Sequence, residues 1–144
     1  MSANAVQTLS VVGSDSSAQE TPVPRHQGRV TIITFGFKYG APPSNYSFDV
    51  SFVKNPARDP RWGMFSTASA DGMAEFVLSQ PNAVNFLDSL IPMVGVLSQC
   101  DDDLRIALGC NAGRHRSRII AAELQRRLQA EGIASTIIHR EEQL

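Results

Sequence analysis

The chain has 144 residues, 42% of them hydrophobic, with 13 Lys and Arg against 14 Asp and Glu and a formal net charge of −1. That length suits one domain with a real core, and the near-neutral balance excludes the global attraction by which strongly basic proteins gather nucleic acid. Cys100 and Cys110 lack paired spacing, and no secretory signal precedes them, so reduced thiols in a cytoplasmic protein are expected. No apolar run approaches the roughly 20 residues that span a bilayer, so no membrane role is expected.

Residues 1–28 are rich in Ser, Ala, Gln and Thr, carry Pro22 and Pro24, and show no sustained hydrophobic period. Too few apolar groups are present to offset the entropy of ordering, and the segment is expected to be a disordered tail before a domain spanning 29–144. From Arg29 the character changes: Val30, Ile32, Ile33 and Phe35 form a β-rich run ended by Gly36. A loop holding Lys38 follows, then a proline turn at Pro42-Pro43. Tyr46, Phe48, Val50 and Phe52 alternate with Ser47, Asp49 and Ser51, a period of two that predicts a second strand with Asp49 on its polar side.

Residues 54–72 hold prolines, glycines, charges of both signs and Trp62, a pattern for a long irregular loop of the kind that often serves as a lid. A short helix is expected over 72–78. Val84, Leu87, Ile91, Val94 and Leu97 follow helical spacing with Asn82 as N-cap, and Pro92 must kink that helix or begin a new one. Asp101-Asp102-Asp103 forms the polar turn that follows.

The stretch 104–118, LRIALGCNAGRHRSR, organises the rest. Leu104, Ile106, Ala107 and Leu108 are nearly continuous, as a strand covered on both faces requires. Ile120, Leu124 and Leu128 then repeat every four residues, with Glu123 and Arg127 as an outward pair, which predicts a helix over about 114–130 closed by Gly132 in a left-handed cap. Residues 133–139 suit another strand, completing a βαβ unit with right-handed crossover. The fold expected is three-layer α/β/α with a mostly parallel sheet. The loop at this strand's carboxyl end, Cys110-Asn111-Ala112-Gly113-Arg114-His115-Arg116-Ser117, has the features of a phosphate-binding turn. Inward backbone N–H groups, the positive end of a helix and a forked arginine all favour an anion there.

Three blocks carry a resemblance: Phe35 to Gly40; Phe48 to Phe52 with Asn55-Pro56; and Gly109 to Ser117 with His139-Arg140. In order and spacing they resemble the C-terminal domain of the RapZ RNase adapter family. The resemblance covers roughly residues 30–140 and implies a regulatory domain that senses glucosamine-6-phosphate and works with RNA and a ribonuclease; the function expected is non-enzymatic binding of a phosphorylated small molecule, an amino-sugar phosphate such as glucosamine-6-phosphate or a nucleotide. The resemblance further implies that Asn111, Ala112, His115 and Arg116 hold the phosphate, with Lys38 and Asp49 near the pocket. Asn55 and His139 fall in the same blocks and are placed at its periphery. The P-loop motif of the family's additional N-terminal domain does not occur in this chain, and nothing here supports nucleotide hydrolysis. Where members carry a basic tail, this chain ends Glu141-Glu142-Gln143-Leu144.

A second resemblance is local. Cys110 and Arg116 stand at the Cys-x-x-x-x-x-Arg spacing of the cysteine-dependent phosphatases, with Gly113 and Ser117 in place. A thiol at a helix N-terminus beside arginine could attack phosphorus, with Asp59 or Asp71 as acid. The residue before the cysteine is Gly109 rather than the histidine usual in those enzymes, and the binding reading is adopted, with catalysis as the alternative. Arg105, Arg114, Arg116, Arg118, Arg126 and Arg127 could together form a basic face for RNA, or simply a solvated helix surface. No Cys, His and carboxylate spacing suggests a metal, and no cofactor is expected.

Overall fold

In the computed structural model, residues 27–56 and 70–142 are described. Four strands and three α-helices follow in order: β1 (Arg29–Gly36), β2 (Tyr46–Asp49), α1 (Ala70–Leu78), α2 (Pro81–Cys100), β3 (Asp103–Cys110), α3 (Arg116–Ala130) and β4 (Thr136–His139). A 3-10 turn at Phe37–Tyr39 leaves β1. The sheet order is β2-β3-β1-β4 and every pairing is parallel. The α/β class and the parallel sheet are those the apolar runs predict. The two eight-residue strands β1 and β3 lie side by side in the middle, where both faces must be apolar.

Alternate residues of these strands build two clusters. Val30, Ile32, Leu104, Ile106, Leu108 and Cys110 join Val77 of α1, Leu87, Leu90 and Val94 of α2, and Ile120, Leu124 and Leu128 of α3 in the main core. All three helices therefore cover one face. The other face holds Ile33, Phe35 and Ala107. Phe35 is closed off there by the edge of Phe37, with centroids 4.7 Å apart, and by the Arg140 guanidinium 5.7 Å above its ring. The third layer expected from the sequence is not found among the described residues.

Several boundaries differ from expectation, each for a local reason. The second strand stops at Asp49 rather than Phe52, because the Asp49 carboxylate accepts the Ser51 N–H at 2.8 Å and bends the chain after a last ladder bond from Val50 N–H to the Gly109 carbonyl. The last strand starts at Thr136 rather than Ile133. Gly132, at φ 82°, ends α3 in a Schellman arrangement, with its N–H on the Gln129 carbonyl and the Ile133 N–H on that of Leu128. Ile133 is thus part of the cap and buries its side chain in the helical core. The expected βαβ block is present as β3-α3-β4 in one parallel sheet, with β1 lying between its two strands, an order that one-dimensional periodicity does not encode.

At α2, Pro81 occupies the first turn and Gln80 is the cap residue without a side-chain bond; Asn82, the expected cap, donates instead to the Phe52 carbonyl at 3.1 Å. The helix runs through Pro92 without a break, with that proline on its exposed side. By length and composition alone this helix would suffice to cross a membrane, which corrects the expectation that no such run exists. Single polar residues such as Asn85 and Asp88 divide it when only continuous runs are sought. Here one side of it, Ala83, Leu87, Leu90, Val94 and Ser98, is buried in the domain. Buried Ser98 also fixes the domain's start: its hydroxyl accepts from the Gln27 amide at 3.1 Å and its carbonyl from the Gly28 N–H at 2.7 Å. Gln27 and Gly28, assigned to the tail by composition, therefore bond to the core. The rest of the expected tail, Trp62 and Asp59 lie outside the described residues.

Candidate functional site

Parallel strands end level, and their carboxyl ends gather the loops. Gly36 pairs with Cys110, Asp49 with Gly109 and Thr34 with His139, so all four strands finish at one edge. The β1 to β2 connection has no helix of its own. It leaves beside the central loop, with the Lys38 N–H on the Asn111 carbonyl at 3.2 Å, and returns level with Arg105, whose N–H donates to the Asn45 side chain at 2.7 Å.

The loop after β3 wraps a cavity of about 180 Å³ lined by Asn55, Cys110, Asn111, Ala112, Arg114, His115 and Arg116. No acidic side chain is among these. Its shape depends on a close backbone approach: Gly113 has φ 74°, which favours glycine, and Gly36 lies so near that a Cβ there would meet the Ala112 carbonyl carbon at 2.5 Å. Arg118 holds the loop from below. Its Nε donates to the Gly113 carbonyl and its Nη2 to the Glu141 carbonyl, both at 3.0 Å.

Cys110 forms the floor. It is buried, and its Sγ lies 3.4 Å from the Ser117 hydroxyl. Burial pushes the thiol pKa up, but the Ser117 hydroxyl, the backbone N–H groups of Ser117 and Gly113, and the nearby Arg116 charge outweigh it, and the net shift is downward. His115, half-buried at the N-cap of α3, also has a lowered pKa, through burial first and then the charges of Arg114, Arg118 and Arg116. Arg116 is the one charge that acts on both groups, and it is the smallest contribution to each. Arg114 is exposed at its mouth and has no hydrogen bond or ion pair among the described residues.

The remaining sequence candidates separate. Arg116 lines the cavity, but its Nη1 donates to the carbonyls of Ser51 at 3.1 Å and Val53 at 3.2 Å, so its guanidinium also ties the post-β2 turn to α3. That turn is what brings Asn55 to the cavity. Lys38 and Asp49 are not among the lining residues: the ammonium of Lys38 lies 5.4 Å over the Tyr39 ring, and Asp49 holds its turn. His139 is not there either; its Nδ1 meets the Thr34 hydroxyl at 2.7 Å, and burial with the Arg118 charge lowers its pKa against the opposing Glu142. Asp71 falls in the first turn of α1.

Glu141 is the residue that sequence reading misjudged. Taken as part of an acidic tail, it is instead buried, with Oε2 accepting from the Gly36 N–H at 2.9 Å and from Arg140 Nε and Nη2 at 3.0 and 2.6 Å. It holds the end of β1 against the loop. The adjacent Arg140 was the available signal, since a buried carboxylate needs such a partner. The expected basic face is largely neutralised: Arg126 and Arg127 both bond Glu123, Arg127 also bonds Asp88, and Arg105 stands 3.6 Å from Asp103.

Fold and cavity together define a parallel α/β domain with an arginine-bearing cavity at the carboxyl edge of its sheet, lined by no acidic side chain among the described residues. Comparison with known proteins makes the class specific: the family model described as RapZ C-terminal domain matches residues 28–143, and the chain belongs to that family. It is 38% identical over 124 residues to a "Nucleotide-binding protein" of Clostridium beijerinckii, covering 82% of this chain and 42% of that protein. Proteins of the same description from Nocardioides sp. and Streptomyces coelicolor are 35% and 33% identical over 119 residues, covering 78% of this chain and 39% and 40% of theirs. The chain thus spans about two fifths of the length of these relatives.

Proposed function

We propose that this chain is a non-enzymatic sensor domain that binds a phosphorylated small molecule at the 110–117 loop. One observation carries the reading: a small cavity at a helix N-terminus whose lining among the described residues includes no acidic side chain, with Arg116 in its wall and Arg114, unpartnered among the described residues, at its mouth. An amino-sugar phosphate such as glucosamine-6-phosphate and a nucleotide both present the required dianion. The regulatory role, with RNA or a ribonuclease as partner, rests on the family, and it gains less from the surface because most of the expected basic face is paired. A cytoplasmic setting suits Cys100 and Cys110, both of which are free thiols.

Titration calorimetry with inorganic phosphate and with phosphate esters tests the reading. Arg114→Ala should weaken every phosphate ligand by about tenfold to a hundredfold, the range for losing one charge-assisted hydrogen bond. Its melting temperature should stay that of the parent, since the side chain holds nothing else among the described residues. Unaltered affinity for phosphate esters in that variant would remove the assignment.

The cysteine phosphatase reading is favoured by one feature, the downward shift of Cys110. Yet the thiol is buried against Ser117, Arg116 is occupied by two carbonyls, and Gly109 supplies no side chain beside it. We expect no hydrolysis of an aryl phosphate at neutral pH, and phosphate binding retained in Cys110→Ser. Hydrolysis that survives repurification and disappears in Cys110→Ser would make this an enzyme.

A further inference from the structure

Of the residues that line the cavity among those described, all but one fall within 110–116. The exception is half-buried Asn55, which comes from the segment after β2. That segment has left the sheet, since its last ladder bond is the one from Val50, and its position is set by other means. Val50 and Val53 are buried in the main core. Around them four successive carbonyls each accept a side-chain N–H: those of Ser51 and Val53 from Arg116 Nη1, that of Phe52 from Asn82 Nδ2 at 3.1 Å, and that of Lys54 from Gln80 Nε2 at 3.4 Å. Gln80 also accepts the Lys54 N–H, at 2.9 Å through Oε1.

Carbonyls at the surface can be satisfied by water. Capturing four in a row with side chains from the starts of α2 and α3 does what water cannot: it fixes the backbone of 51–54, and with it the place of the next residue, Asn55. The entropy of ordering this segment is then already offset before a ligand arrives, so little of the binding free energy is lost to it. An amide suits an anion site at that point. It can donate N–H bonds to a phosphate oxygen from an element other than the loop, and it is neutral, so it brings no further charge to be desolvated.

We propose that Asn55 contacts the bound anion, and that Gln80, Asn82 and Arg116 are positioning residues that place it there by holding the carbonyls of residues 51–54. This role rests on the phosphate-binding reading above and extends the site to the start of α2, whose Gln80 and Asn82 do not line the cavity. Arg116 is itself a cavity residue, so its removal would mix the two roles. Gln80 and Asn82 separate them.

Titration calorimetry of the full chain with inorganic phosphate tests the assignment. Asn55→Ala should weaken phosphate by about tenfold to a hundredfold, the range for one hydrogen bond to a charged group. Gln80→Ala and Asn82→Ala should each weaken it by about threefold or more, as expected for groups in one hydrogen-bond network. The pair decides the mechanism. In the Gln80→Ala background, adding Asn55→Ala should cost much less than it does in the parent, because the amide is already out of place; a general loss of stability would leave the Asn55 contribution whole, and the two losses would multiply. Asn82→Ala with Asn55→Ala gives the same measurement if Gln80→Ala does not fold. Losses that multiply in these pairs, or an Asn55→Ala variant that binds as the parent does, would overturn the proposal, while weakened binding in Arg114→Ala would leave the phosphate-binding reading in place. If the parent chain binds no phosphate, that reading fails and the role of Asn55 with it.

Discussion

Gly36→Ala is expected to melt at least 10 °C below the wild type and to lose phosphate binding. An added Cβ would lie 2.5 Å from the Ala112 carbonyl carbon and 2.6 Å from its oxygen, and both are backbone atoms that no rotamer change can move aside. The loop cannot simply withdraw, because Gly113 beside it holds φ 74° and packs so closely that a Cβ on it would fall 2.6 Å from the Gly36 nitrogen. Nor can β1 retreat, since the Gly36 N–H is bonded to buried Glu141 and the strand pairs β3 on one side and β4 on the other. Overpacking in a tight core costs about 1–3 kcal/mol, and a backbone-on-backbone collision belongs at the upper end. For a domain of this size about 3 kcal/mol corresponds to a drop of roughly 10 °C or more. Any relief must come from moving residues 111–113, which shape the cavity, so binding should fail even where the protein stays folded. Scanning calorimetry and phosphate titration on the same sample check both halves. A variant that melts within about 2 °C of the wild type would show that the loop yields easily and that its shape is not set by Gly36.

Why was the loop legible in the sequence while the partners of its arginines were not? The loop is local: an apolar strand, a glycine-containing turn and a helix start within fifteen residues announce their geometry through period and residue type. Arg116 looks the same in sequence as Arg114. Only the fold brings the carbonyls of Ser51 and Val53, more than sixty positions away, onto the guanidinium of one and leaves the other without a partner among the described residues. The same distance in sequence hid the role of Glu141, which meets Gly36 across 105 positions and sits beside a strand, β4, whose place next to β1 no periodicity predicts. Lys38 and His139 illustrate the converse. Both lie at the carboxyl edge, as their place at strand ends implies, yet the cavity occupies one part of that edge, around β3, and the side chains of both are engaged elsewhere. Reading strand ends locates an edge of the sheet, whereas the choice of residues along it depends on strand order and on side-chain partners that are distant in the chain.

Glu141→Ala should be strongly destabilising, and its effect should fade as the solution is acidified. The carboxylate is buried and accepts three hydrogen bonds, two from Arg140 and one from the Gly36 N–H. Hydrogen bonds to a charged group contribute about 1.5–3 kcal/mol, toward the lower end for those from Arg140, which is partly exposed, and removing the carboxylate leaves the Gly36 N–H without its acceptor. A loss of about 3 kcal/mol at pH 7 follows. The sign of the pH dependence comes from the direction of the shift: the Arg140 hydrogen bonds foremost, against the opposing effect of burial, with the Gly36 N–H and the charges of Arg140 and Arg118 added, hold the carboxyl below its ordinary value. A group whose pKa is depressed by folding stabilises fully above the unfolded-state value, about 4.3 for glutamate, and that contribution is lost as pH falls through the lower folded-state value. Glu123 is depressed as well, by Arg126 first, and would add to acid sensitivity in any single protein. The difference between wild type and Glu141→Ala removes that common contribution. Measured by urea denaturation from pH 7 down to pH 3, the gap should be constant near neutrality and begin to close only below about pH 4. A gap of the same size throughout would mean that the side chain acts through packing rather than charge. A gap that closes as predicted identifies Glu141 as the ionised clasp that keeps β1 against the loop, and with it the backbone contact of Gly36 and Ala112 on which the cavity depends.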